Sequence, residues 1–178
     1  MKKYILLLRG INIGVYNRIK MPQLKELFAE IGMPSVTTYI QSGNVLFDHK
    51  DLDQEKLIKD LQEVLQLKMG WSVPIFIYDA AEWKRIVKNN PFAKKDDHNP
   101  AFFHVTLLEK SKKDVKVLEH KDESSPVIGR AVYLYCPDGY RNTKINNTTI
   151  QKKLSMFATT RNWNTMSKLL ALVEELME

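Results

Sequence analysis

The sequence predicts an α+β fold: a ferredoxin-like β-α-β-β-α-β unit followed by a second, related α/β subdomain with a C-terminal helix. Three observations carry this. Over residues 1–90, short β-branched and aromatic runs alternate with runs of helical period, in the order strand, helix, strand, strand, helix, strand. Residues 91–100 then hold two prolines, the run Lys94-Lys95-Asp96-Asp97 and little apolar content, which suits a connection. Residues 101–178 repeat much of the first order, with a last strand that is weak or absent.

Each element has its own signal. Tyr4 to Leu8 is an apolar run on both faces, as for a central strand. Pro22 suits a first helical turn; Leu24, Leu27, Phe28 and Ile31 follow at helical spacing, and Gly32 with Pro34 stops the helix. Val36 to Ile40 and Val45 to Phe47 form a hairpin around Gln41-Ser42-Gly43-Asn44. Asp51 with Gln54 reads as a capping box for a helix carrying Leu57, Leu61, Val64 and Leu65, which Gly70 ends. Val73 to Tyr78 is the fourth strand, and Asp79 with Glu82 opens a helix bearing Trp83, Ile86 and Val87.

In the second half, Phe102 to Leu108 and Ala131 to Cys136 are strands, and Val127-Ile128 is a short one. Ser111 with Asp114 predicts a helix carrying Val115 and Leu118, and His120 to Ser125 a polar loop. Pro137-Asp138-Gly139 is a turn, and Thr148 with Gln151 caps a helix around Leu154. Thr159 to Thr165 reads as a polar loop before a terminal helix capped by Asn164, with Met166, Leu169, Leu170, Val173 and Leu176 inward.

The predicted topology makes a statement about function. If the first strand runs up, the second does too, so the loop Arg9 to Arg18 and the hairpin tip Gln41 to Asn44 meet at one edge of the sheet. Met69-Gly70-Trp71 joins them there. Arg9 and Asn12 then face Gln41, Ser42 and Asn44, a set of guanidinium, amide and hydroxyl groups able to bind an anion. The glycine loop Arg9-Gly10-Ile11-Asn12-Ile13-Gly14 matches neither a dinucleotide fingerprint nor a phosphate-binding P-loop. A third motif, Thr159-Thr160-Arg161-Asn162-Trp163-Asn164-Thr165, offers Arg161 as a fork, Asn162 as a donor and acceptor, and Trp163 as a stacking platform. Lys144, in a basic turn, completes the candidate set. Each motif also has a plain structural reading: turn chemistry at the hairpin, chain geometry at the glycines, and a cap with an anchoring Trp before the last helix.

The three motifs, in this order, resemble the bacterial family called domain of unknown function 1697, and the likeness spans nearly the whole chain. The resemblance implies a cytosolic bacterial protein with ferredoxin-like architecture and no settled activity. Where that family has a second glycine after the first motif, this chain has Val15 followed by Tyr16. Gly139 with Thr143-Lys144-Ile145 is similar to the family's glycine followed by Ser-Lys-Leu.

Composition frames the expectations. The chain has 178 residues, 44% hydrophobic and 27% charged, an ordinary globular balance. The net charge of +6 favours anionic partners, but the plainer reading is solubility, since lysines are scattered among acidic residues along most of the chain. One cysteine, Cys136, precludes an intramolecular disulfide and fits the cytoplasm. Lys2-Lys3-Tyr4-Ile5-Leu6-Leu7-Leu8-Arg9 is too short for a signal peptide, and no run approaches a membrane span, so no membrane partner is expected. His49, His98, His104 and His120 are dispersed, so no metal or other cofactor is expected. The expected function is binding of an anionic ligand, nucleic acid or nucleotide-like, in a cleft formed by the three motifs. The alternatives are an enzyme acting on a small phosphorylated or carboxylated metabolite, and a structural role in which the motifs lock the subdomains together.

Overall fold

The computed structural model describes residues 1–95, 97–120 and 123–175. Contacts divide the chain into two units, Met1–Ala81 with the chain from Leu172 onward, and Glu82–Ala171. The division falls at Ala81–Glu82 rather than in the connection expected at 91–100. The reason is that the helix at 80–88 packs with the second sheet. Its Trp83 Nε1–H donates to the Met166 carbonyl at 3.1 Å, its Ile86 carbonyl accepts from the Tyr133 hydroxyl at 2.8 Å, and its Glu82 pairs with Arg130 at 3.2 Å.

The first unit contains β1 (Lys2–Leu8), α1 (Met21–Glu30), β2 (Val36–Tyr39), β3 (Asn44–His49), α2 (Gln54–Met69) and β4 (Ile75–Asp79). The sheet order is β2-β3-β1-β4 with every neighbour antiparallel, the ferredoxin-like arrangement. Tyr4, Leu6 and Leu8 of β1 join Val45, Phe47, Ile75 and Ile77 on one face, against Leu24, Leu27 and Phe28 of α1 and Leu57, Leu61 and Leu65 of α2. Ile5, Leu7, Phe76 and Tyr78 on the opposite face are buried as well, which is why β1 reads as apolar throughout. α2 ends at Gly70, whose φ of 74° places it in the left-handed region. The cap of α2 is Asp53, whose side chain accepts from the Lys56 N–H, not Asp51.

The second unit contains α3 (Ala80–Lys88) from Glu82 onward, β5 (Phe103–Leu108), β6 (Val117–His120), β7 (Glu123–Ile128), β8 (Ala131–Tyr135), α4 (Asn147–Leu154), β9 (Ala158–Asn162) and α5 (Trp163–Glu175) as far as Ala171. Short 3-10 turns at Pro91–Lys94 and Pro100–Phe102 lead into β5. The sheet order is β6-β7-β8-β5-β9. Without β6 this is the strand order of the first unit. A strand stands where the first unit has α1, so this is the altered ferredoxin-like unit the pattern anticipates.

Three expectations change here. The helix expected after Ser111 is absent; Leu118 lies on β6, which pairs with β7 from Val117↔Pro126 to His120↔Glu123. The polar loop expected at His120 to Ser125 is the end of that hairpin, and its Lys121 and Asp122 lie outside the described residues. The last strand is present as β9, pairing with β5 from His104↔Asn162 to Leu108↔Ala158. Caps shift too: Asn146 caps α4 through the Thr149 N–H, and Asn162 accepts from Thr165 N–H at 2.9 Å at the start of α5. Leu176 lies outside the described residues. Among the described residues no helix is long and apolar enough to cross a membrane.

Candidate functional site

The first two motifs converge within the first unit. The Leu8 N–H donates to the Gly43 carbonyl at 2.8 Å, which ties the end of β1 to the hairpin tip. The Arg9 N–H donates to the Pro74 carbonyl at 3.0 Å, bringing in the segment after α2. Asn12 is the hub. Its Nδ2 donates to the Ile19 carbonyl at 3.0 Å and the Gln41 carbonyl at 2.8 Å, and its Oδ1 accepts from the Ile19 N–H at 2.9 Å. Both amide hydrogens are therefore committed to the backbone. Asn12 also sits at φ 55°, a left-handed conformation that Asn tolerates better than most residues.

Asn44 works in the same way at the hairpin. It is fully buried, and its Nδ2 donates to the Tyr39 carbonyl at 3.1 Å and the Ser42 Oγ at 2.8 Å. That closes a tip in which Ile40 and Gly43 both take positive φ. Ser42 is half-buried, Gln41 is exposed and Arg9 is half-buried.

An open cavity of about 880 Å³ lies where these loops meet the start of α1. Asn12 and Gln41 line it, with Arg18, Lys20, Met21 and Gln23. Among the described residues, none that lines it is acidic. No side chain caps α1: the N-cap position is Lys20, and Pro22 occupies the first turn. The Met21 and Gln23 N–H groups thus lack intrahelical acceptors and sit at the positive end of the helix dipole. That end contributes only about 0.3–1 kcal/mol to an anion at an exposed site, so Arg18 and Lys20 supply most of the attraction. Arg18 spends its Nε on the Gly14 carbonyl at 3.0 Å, which steadies the guanidinium. The candidate set drawn from the sequence lacks Arg18, Lys20 and Gln23. The available signal was a helix start marked by Pro22 but preceded by Lys20 instead of a Ser, Thr, Asp or Asn cap.

The remaining candidates belong to the second unit. Arg161, Asn162 and Trp163 are consecutive across the β9–α5 junction, while Lys144 lies in the turn before α4. Arg161 donates to the Thr159 hydroxyl at 2.9 Å and the Thr160 carbonyl at 3.0 Å. Desolvation lowers its pKa to about 10, which still leaves it charged at neutral pH. Trp163 meets Phe103 edge to face, with ring centroids 5.8 Å apart. Thr160 accepts from or donates to Thr106, Tyr140 and Asn147 at 2.7, 3.0 and 2.7 Å, joining β5, β9, the turn at 140 and α4.

The Lys144 N–H donates to both oxygens of Glu123, at 2.8 and 2.9 Å, and Thr143 and the Ile145 N–H contact the same carboxylate. Desolvation pushes the Glu123 pKa up, but the Thr143 hydroxyl and the two backbone donors outweigh it, and the carboxyl ends below its ordinary value. The turn before α4 thus already holds an anion, its own Glu123. A second cavity, about 560 Å³, lies beside it, lined by Phe92, Lys95, Tyr135, Cys136 and Asn142 among others. Burial, with a smaller contribution from the Glu123 charge, raises the Cys136 thiol to about 11, so it is protonated at neutral pH. Among the described residues no group of three His, Cys, Asp or Glu side chains is placed to hold a metal ion.

Comparison with known proteins agrees with the fold. The model of a family described as protein of unknown function (DUF1697) matches residues 1–133. Among solved structures, the chain is similar to the conserved bacterial protein SP0830 from Streptococcus pneumoniae, with 22% sequence identity and a TM-score of 0.72 over 97% of this chain and 98% of that one. At that identity the likeness speaks to the fold alone. No curated protein matches the chain.

Proposed function

The chain belongs to the DUF1697 family of proteins of unknown function, and from that premise we propose that its first unit binds an anionic ligand, nucleic acid or nucleotide-like, in the cavity at the start of α1. The observation that carries this reading is the lining: Arg18 and Lys20 stand with the carboxamides of Gln23 and Gln41 around an uncapped helix start, with no acidic side chain among the described lining residues. A cavity of about 880 Å³ has room for a nucleotide-sized group. The Gln41 carboxamide donates and accepts, and Gln23, whose Nε2 donates to Met69 Sδ at 3.3 Å, offers its oxygen, which suits a base edge or a sugar as well as a phosphate.

The structural reading keeps part of the motifs. Asn12 and Asn44 direct their amide groups at the fold's own backbone and hydroxyl groups, so they act as scaffold that holds Gln41 and the loop 10–18 in place. Arg18, Lys20, Gln23 and Gln41 are then the ligand-facing groups.

The test is binding of a short labelled oligothymidylate and of ATP to the full chain at low and high salt. Arg18→Ala with Lys20→Ala lowers affinity for both probes about tenfold or more, because two charge-assisted contacts are lost. The slope of log affinity against log salt for the oligomer becomes shallower by about 1.4, from roughly 0.7 per phosphate contact on a single strand. Both side chains are exposed, so the double variant keeps the wild-type unfolding midpoint. Unchanged affinity and slope would remove this site from the reading.

A further inference from the structure

We propose that the ligand class is single-stranded nucleic acid, with Tyr16 as a stacking platform beside Arg18 and Lys20; this rests on the anion-binding reading above. The loop between β1 and α1 carries three large apolar side chains in the open: Ile13 is 65% exposed, and Val15 and Tyr16 are each 74% exposed. Single exposed apolar residues are ordinary, whereas three among four consecutive residues are not. Ile40, 49% exposed, adds to them from the hairpin tip, which the Asn12–Gln41 bond ties to this loop.

The loop is built to hold these side chains out. The Asn12 N–H donates to the Asn17 carbonyl at 3.1 Å, and the Tyr16 N–H to the Ile13 carbonyl at 3.0 Å. Asn17 Nδ2 donates to the Gly10 carbonyl at 3.1 Å, and Arg18 Nε to the Gly14 carbonyl at 3.0 Å. Gly14 and Arg18, which bracket Tyr16 in the chain, line the cavity. Tyr16 thus stands exposed on a turn held by backbone and side-chain hydrogen bonds, two residues before Arg18, so little backbone ordering entropy remains to be lost on binding.

Charge complementarity and the amide groups choose the partner. A duplex offers phosphates but keeps its base faces stacked inside, which leaves the Tyr16 ring without a partner. An anionic lipid surface would take the cations and the apolar apex, but its headgroups offer no flat aromatic face for the Tyr16 ring. A single strand presents phosphate, base face and base edge together, matching Arg18 and Lys20, the Tyr16 ring, and the carboxamides in turn.

The test compares three probes on the full chain at low salt: a short oligothymidylate, a duplex of equal length, and vesicles of phosphatidylserine and phosphatidylcholine. The expected order is oligothymidylate tightest. Tyr16→Ala weakens it about tenfold, and Tyr16→Phe, which keeps the ring face, restores it. Tyr16 is exposed, so both variants retain the wild-type unfolding midpoint. Wild-type affinity in Tyr16→Ala, with the Arg18 and Lys20 dependence intact, would overturn the stacking proposal and leave the anion site standing. Tighter binding to duplex or to vesicles would overturn it in favour of that partner. Indifference to both Tyr16 and the two cations would remove the proposal and the reading beneath it.

Discussion

Gly43→Ala lowers the unfolding free energy by about 3 kcal/mol or more, and Gly70→Ala lowers it by only about 1 kcal/mol. Both glycines take positive φ, 77° and 74°, so both variants carry the cost of a Cβ in the left-handed region. They differ in surroundings. A Cβ on Gly70 meets nothing within 4 Å, whereas one on Gly43 would lie 2.9 Å from the Leu8 carbonyl oxygen and 3.0 Å from Ile11 Cδ1 and Leu8 Cβ. Leu8 is a fully buried backbone position on the central strand, and its N–H is bonded to Gly43 itself, so it has nowhere to retreat. The excess of the Gly43 effect over the Gly70 effect therefore measures how closely the hairpin tip is pressed onto the end of β1. Denaturant unfolding of the two variants side by side gives that number. Equal destabilisation would mean that the tip and the β1 loop are not locked, and that the cavity built on them is not preformed.

Trp83→Ala costs about 3–5 kcal/mol, the range for deleting a fully buried large aromatic side chain. Trp83 heads the set of fully buried side chains, and its Nε1–H satisfies the Met166 carbonyl. Trp83→Phe keeps much of the apolar volume but drops the donor, and it costs about 0.5–1.5 kcal/mol for the lost hydrogen bond, because the Met166 carbonyl keeps its partner inside α5. The two variants together separate packing from hydrogen bonding. Hydrogen exchange in α5 around Met166 is expected to speed up in the Phe variant, and a wild-type rate there would mean that the Trp83 bond contributes nothing in solution.

The first unit was legible because its local signals agree with its tertiary environment. Leu24, Leu27 and Phe28 recur at helical spacing between Pro22 and Gly32, and the hairpin is marked by Gly43. The convergence of the loop 10–18 with residues 41–44 follows from strand direction alone and is present in the hydrogen bonds of Asn12 and Leu8. The second unit was harder because two of its strands draw their stability from pairing, not from pattern. β6 is four residues long and follows a Ser111–Asp114 spacing that imitates a capping box, but no amphipathic run sustains a helix there. β9 reads Ala-Thr-Thr-Arg-Asn, polar enough to pass for a loop; its β-branched threonines were the usable hint, and its ladder with β5 decides the outcome.

Caps were misplaced by two residues at Asp51, Thr148 and Asn164, each time because a second cap-competent residue stood close by: Asp53, Asn146 and Asn162. At the candidate site, residue type located the scaffold, Asn12 and Asn44, more readily than the binding groups. Arg18, Lys20 and Gln23 have the chemistry of any solvated surface until the fold gathers them around a helix start that lacks a cap.

The central claim is that an anion binds at the start of α1, and the most direct measurement is a two-dimensional amide NMR titration of the full chain with a short oligothymidylate at low salt. The largest shifts are expected at residues 14–23 and at Gln41, saturating together and vanishing in Arg18→Ala with Lys20→Ala. Shifts centred elsewhere, at the β9–α5 junction or around the second cavity, or no shifts at all, would contradict that claim.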